Sequence, residues 1–321
     1  MMTKRYLLPA SLIIALMLTG ADKYPHELTK TDIEHWMIEI SNWGRWGRAD
    51  QDGTLNLITP EKRREAAALV RAGIAVSLSV DVMPAAAWTH GTRLLNADQP
   101  VGYVLDNIGV SYHGNFTTHL DALNHMFYHG QMYNGISIST VTESGAPKDD
   151  VMRYKNGIVT RGILVDIPVL KSKAFLDDDE PVYPEDLIAW EKRAGIKIGS
   201  GDAVFVRTGR WMRVAARGPL DLSHIAPGLH ASSARWLHDR DIALLGSDAV
   251  SDVRPSRVEG VDQPVHQLML VALGTPLLDN CALDAVAELA GKLKRWEFML
   301  TVAPLAVPGG TGSPVNPIAT F

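Results

Sequence analysis

Short apolar, β-branched runs alternate with helix-period stretches along this chain. The runs at 162–167, 203–207 and 242–247 are predominantly apolar, as strands buried on both faces are. Positions 74–82 instead alternate apolar with small polar residues, the period of a half-buried strand. A helix is expected at 60–72, where Thr59 can cap, Pro60 suits the first position and Gly73 suits the stop. Further helices are expected at 184–194 before Gly195, at 231–240 and at 283–293, the last leading into a strand at 298–302. Positions 41–53, rich in Trp, Gly and charge, read as an irregular segment anchored by Trp43 and Trp46. This alternation predicts an α/β protein.

No repeat or low-complexity linker divides the chain, so residues 22–321 are expected to form a single domain. Hydrophobic residues at 46% and charged residues at 21% allow a large core. A net charge of −5, with no basic cluster interleaved with aromatics, argues against nucleic acid as a partner. Cys281 is the single cysteine, which excludes an internal disulfide and disfavours a thiolate metal site. Residues 1–21 stand apart: Lys4 and Arg5 precede an apolar run at 6–18 that ends in Thr19-Gly20-Ala21. That is the layout of a secretory signal peptide, so the protein is expected in the periplasm or secreted, and in the cytoplasm if the segment is a plain extension. The run is too short for a stable membrane anchor, and no cysteine is present there for a lipid.

Four of the eleven histidines, His113, His119, His125 and His129, fall between positions 113 and 129, with Asp121 among them. Imidazole and carboxylate are ligands of catalytic first-row metals. If the segment is extended, His113, Asn115, Thr117, His119 and Asp121 share one face and Phe116 and Leu120 the other. Chance and structural histidines are the bland reading, but type, spacing and parity together favour a metal site. His129, in a turn-like run, reads as a solvated loop residue.

One strand rarely completes a metal site, and two later residues qualify. His266 and Asp279 are both flanked by strongly apolar sequence, and a buried charge needs a partner or a metal. His266 could equally bond a carbonyl at a helix start, and Asp279 could cap the helix near Leu283. Asp248 at a strand end reads as a site group or a turn former. No Gly-x-Ser-x-Gly elbow supports a serine nucleophile. The acidic run 177–181 reads as a solvated tip and the glycine-rich run 309–314 as a turn.

Thr118-His119-x-Asp121-x-x-x-His125 followed by Gly130-Gln131-Met132-Tyr133-Asn134-Gly135 resembles the metal-dependent cyclase family, which includes bacterial kynurenine formamidases and isatin hydrolases. Asn42-Trp43-Gly44-Arg45-Trp46-Gly47 with Gly53-Thr54-Leu55-Asn56-Leu57-Ile58 is similar to its opening. Pro264-Val265-His266-Gln267 with Leu278-Asp279-Asn280 is similar to its second metal segment, and 310–317 to the ending of its long subfamily. The resemblance implies a swivelling β/β/α single domain, a homodimer or homotetramer, and one or two divalent ions, Zn or Mn. By position in the family motif, His119 and Asp121 bind metal, His125 is the acid/base, and His266 and Asp279 complete the ligands. Asn115 stands where the family has its first His. Its amide oxygen can coordinate, but His113, two residues earlier on the same expected face, is the stronger substitute. Leu123 replaces the family's proline before the last His. The implied function is hydrolysis of an amide, lactam or lactone bond in a small aromatic or cyclic substrate, in a pocket shaped by Trp43, Trp46, Trp88 and Tyr133. The alternative is an exported small-molecule binding protein with a degenerate metal site.

Overall fold

The computed structural model describes residues 23–81 and 88–321; the expected signal segment and the end of the expected strand at 74–82 lie outside them. Thirteen strands are found among the described residues: β1 (Ala75–Ser77), β2 (Trp88–Leu95), β3 (Tyr103–Val110), β4 (His119–Asp121), β5 (Ile158–Asp166), β6 (Pro181–Val182), β7 (Ala203–Arg207), β8 (Gly228–Leu229), β9 (Leu244–Ser247), β10 (Leu277–Asp279), β11 (Glu297–Val302), β12 (Gly312–Pro314) and β13 (Ile318–Thr320). Nine of them form one sheet in the order β1-β13-β11-β5-β7-β9-β10-β4-β12. Its centre, β5-β7-β9-β10, is parallel and buried on both faces, which is why the runs at 162–167, 203–207 and 242–247 are predominantly apolar. The flanking strands join antiparallel.

Strand alternation sorts the core onto two faces. Ile163, Val165, Val204, Val206, Leu245 and Leu277 pack with Trp190 and Trp236 on one side. Leu164, Phe205, Leu244, Leu278, Leu120 and Phe298 pack on the other. The helices Pro184–Ala194 and Ala231–Asp239 bring Trp190 and Trp236 to the first face. Gly195 ends the former in the left-handed conformation, as its position predicts. Thr59 caps the helix Pro60–Ala67, which stops earlier than expected. The fold is a mixed α/β single domain.

Two readings change. Each member of the acidic run finds a cation: Asp177 pairs with Lys173, Asp178 with Arg213, Asp179 with Arg257 and Glu180 with Lys171. It is therefore a hub of ion pairs, not a free solvated tip. The glycine-rich run does turn, but then continues as β12 along β4.

Asp149 is fully buried, and neither of its carboxylate oxygens has a hydrogen-bond partner. Burial first, then Asp50 and Asp150, push its pKa up to about 8 from a reference of 3.8. The folded state binds this proton more tightly than the unfolded one. Stability from this group is thus full below about pH 4 and lost as pH rises toward 8. Asp149→Asn should therefore be more stable than the parent at pH 8, by up to about 5 kcal/mol, with the gap closing toward pH 4. Urea unfolding at the two pH values measures this; a gap that does not narrow with falling pH would contradict it.

Candidate metal centre

His119 and Asp121 share one face of β4 because Leu120 between them turns into the second core cluster. β10 runs antiparallel beside β4 with Asp279 opposite His119 and Leu277 opposite Asp121. Directly opposed residues lie on the same face, so the ladder itself brings Asp279 to the pair. His266 arrives from the helical turn Pro264–His266, whose start the Asp252 carboxylate caps by accepting from the Val265 and His266 N–H groups.

Each ligand-type side chain is held by a second group. The Nδ1–H of His119 donates to the Thr117 carbonyl at 2.8 Å, so Nε2 is left facing Asp121 Oδ1 at 3.5 Å. His266 Nδ1 lies 2.5 Å from Asp252 Oδ2, and its Nε2 faces Asp279 Oδ2 at 3.4 Å and Asp121 Oδ2 at 3.9 Å. Ser251 donates to Asp279 Oδ1 at 2.7 Å, which leaves Oδ2 for the centre. A carboxylate behind a ligating imidazole fixes its tautomer and raises its basicity.

His113 Nδ1 lies 2.9 Å from Asp121 Oδ1, and His113 Nε2 2.9 Å from Thr311 Oγ1. Despite their proximity, His113 Nδ1 and Asp121 Oδ1 are not aligned for a hydrogen bond, and both remain buried without a partner. Orphaned buried polar atoms are rare and costly. Donor atoms of His113, His119 and Asp121 lie within 4.8 Å of one another, and so do those of Asp121, His266 and Asp279. Asp121 is common to both trios. This nitrogen-and-carboxylate set, with unpaired atoms aimed inward, fits a divalent metal ion.

His125 sits on the short turn Leu123–His125 with Nε2 3.9 Å from Asp121 Oδ1, and its ring stacks on His113 at 3.9 Å and 11°. Burial lowers its pKa below the ordinary imidazole value, with Asp121 opposing. Burial pushes the Asp121 carboxyl up, but His125, His119 and His113 outweigh it and hold it well below the usual range. For His266 burial pushes down, yet Asp252 and Asp279 raise it well above the ordinary value.

Asn115 does not join the cluster. Its side-chain amide donates to Ser223 Oγ at 3.3 Å, and the residue is half-buried. The expected shared strand face fails here because β4 begins only at His119, and Gly114 at φ +133° bends the chain before it. His113 reaches Asp121 across this bend rather than along a strand. The four aromatics do not share one pocket either. Trp88 lines a cavity of about 520 Å³ with Ile108, Val110 and Phe116, Trp43 a groove of about 710 Å³ with Tyr128, and Tyr133 is buried. Asp279 ends β10 instead of capping a helix, and Asp248 is a cap, accepting from the N–H groups of Thr208, Gly209 and Arg210. Exposed His129 stays apart.

Gly312 on β12 shows how closely the walls approach. A Cβ there would lie 2.2 Å from the Leu120 carbonyl oxygen and 3.2 Å from the His113 ring. Gly312→Ala should force β12 off β4, lower stability by about 1–3 kcal/mol and weaken metal binding. Thermal unfolding and metal titration measure both; unchanged values would show that β12 can yield.

The Cyclase family model matches residues 53–252, more than half of the chain. The chain belongs to the cyclase family. The matched region holds His113, His119, Asp121, His125 and Asp252, while His266 and Asp279 follow it. A crystal structure described as a novel cyclase superposes with a TM-score of 0.80 at 28% identity, covering 89% of this chain and 99% of that chain. Isatin hydrolase A from Ralstonia solanacearum shares the fold at a TM-score of 0.54 and 20% identity, over 81% of this chain and 97% of its own. Isatin hydrolase A from Labrenzia aggregata does so at 0.53 and 22%, over 80% and 96%. No curated protein matches the chain in sequence.

Proposed function

We propose that this cyclase-family protein is a metal-dependent hydrolase of an amide, lactam or lactone bond in a small aromatic or cyclic substrate. The supporting observation is the pair of ligand trios joined through Asp121, with His125 beside them and outside both. A divalent ion, Zn or Mn, would supply Lewis acidity there, lowering the pKa of water and polarising a carbonyl. His113, His119 and Asp121 would hold one ion, and Asp121, His266 and Asp279 a second. Asp252 and the Thr117 carbonyl orient the two imidazoles behind the centre. His125 is neutral at pH 7, because burial depresses its pKa, and so can accept a proton at Nε2 and return it to the leaving nitrogen or oxygen. Metal analysis of the purified protein, then a screen of N-formyl-aryl amides, isatin-like lactams and lactones, tests this reading. Turnover of one class supports it; saturable binding without turnover would instead support the exported binding protein.

We also propose that the protein is a homo-oligomer. The β2–β3 hairpin leaves Leu94, Val104 and Ile108 exposed, with Leu94 opposite Val104 in register. A two-stranded hairpin is marginal in water by itself, and an apolar surface of this kind marks an interface. Light scattering should give a dimer or tetramer that Ile108→Glu weakens; a monomeric parent would refute it. Export is proposed from residues 1–21, and amino-terminal sequencing should find cleavage after Ala21.

A further inference from the structure

His113 is carried by a loop with no secondary structure of its own, so other groups must set where its imidazole lies. The loop's carbonyls converge on two side chains. Asn280 Nδ2 donates to the Gly114 carbonyl at 2.6 Å and to the Thr117 carbonyl at 3.2 Å. Arg210 Nη2 donates to the Asn115 carbonyl at 2.5 Å, and Arg210 Nη1 donates to Asn280 Oδ1. Both side chains are buried.

The contacts of Arg210 are informative. A buried guanidinium is ordinarily paired with a carboxylate. Here both Nη atoms go to neutral oxygens, of Asn115, Asn280 and the Asp248 carbonyl, and Nε has no partner. This is the geometry of a clamp on a loop, not of an ion pair. Asn280 is itself locked. It sits in the left-handed region at φ +57°, its N–H donates to the Ala249 carbonyl, and its own carbonyl accepts from the Thr118 hydroxyl. It directly follows Asp279, so the clamp ties the His113 loop to the strand end that bears another ligand. The Thr117 carbonyl that it grips is also the one that fixes the His119 tautomer.

We propose that Asn280 and Arg210 are positioning residues that hold the 113–117 loop so that His113 completes the metal centre. The proposal rests on reading His113 as a ligand. Asn280→Gly tests it cleanly, since glycine accepts the left-handed backbone and only the amide is lost. Zinc and manganese dissociation constants, measured by chelator competition, are compared for the parent, Asn280→Gly, His113→Ala and the double variant. Outer partners of metal ligands typically contribute about 10–100-fold in affinity. Asn280→Gly should weaken binding by about that factor, and His113→Ala should weaken it as well. The double variant should bind far less weakly than the product of the two single losses, because the clamp acts chiefly through that histidine. A purely structural role would give additive losses instead. Arg210→Lys, which keeps the charge but cannot donate to both Asn115 and Asn280, takes the place of Asn280→Gly in the same cycle if the latter does not fold. Parent-like affinity in the clamp variant, or additive losses, overturns the proposal and leaves the metal centre standing. A parent protein that binds neither ion overturns the centre and the clamp together.

Discussion

Replacing Asp121 with alanine is expected to empty the metal centre and to reduce kcat/KM more than any other single change. Asp121 is the one residue shared by the two trios, so its loss leaves each with only two members. It is also fully buried among His113, His119, His125 and His266, with no hydrogen bond to the rest of the fold at Oδ1. On the proposed reading its carboxylate therefore serves the ion. Removing one electrostatic donor from an active site commonly costs about 10²–10³-fold in kcat. Asp121→Ala should exceed that, with bound metal falling to background while the unfolding transition stays cooperative. Metal analysis and steady-state kinetics on the same preparation check both parts. Stoichiometric metal in the variant would remove Asp121 from the ligand set.

The second large effect is expected at His125. It is four residues beyond Asp121 and reaches the centre without belonging to either trio. An acid/base group contributes typically about 10²–10⁴-fold. His125→Ala should lower kcat by that order while metal content barely changes. Its imidazole must be neutral to accept a proton, and burial holds its pKa below the ordinary value. In the parent, kcat/KM should therefore fall on the acid side as pH drops through that pKa, and the variant should lose this limb. Loss of the metal together with His125 would make it a ligand. Full activity would send the proton elsewhere, with His266 the next candidate.

How much of this centre was legible in the sequence depends on the range of the information. His119 and Asp121 share a face because of two-residue parity, which is local and was readable. His113 was assigned to that face by the same parity, yet the structure brings it in by a bend at Gly114, so its place has a different cause from the one inferred. Asn115, one step past the bend, was misplaced by the same assumption. For His266 and Asp279 the apolar flanks indicated burial but left capping roles open. What decides between them is the antiparallel register of β4 and β10, which no local pattern encodes.

The supporting groups were not legible at all. Asp252 lies 14 positions from His266, and Asn280 lies 166 positions from Gly114. Asp252 sits in no run that marks it out, and Asn280, although it closes the Leu278-Asp279-Asn280 segment of the family resemblance, carries no local sign of its bond to the 113–117 loop. The fold followed the same rule. Three of the four central parallel strands, β5, β7 and β9, were visible because both faces are buried, and the three-residue β10 was not. The β2–β3 hairpin was not, since nearly every position on it is exposed and hydrophobic alternation has no core to report.

The most direct measurement is a metal titration of chelator-stripped protein, followed by hydrolysis of whichever aryl amide, lactam or lactone the screen identifies. The account predicts that stripped protein is inactive and that activity returns in proportion to bound zinc or manganese, reaching its plateau when the sites are filled. Full hydrolytic activity in protein shown to be free of metal would contradict it.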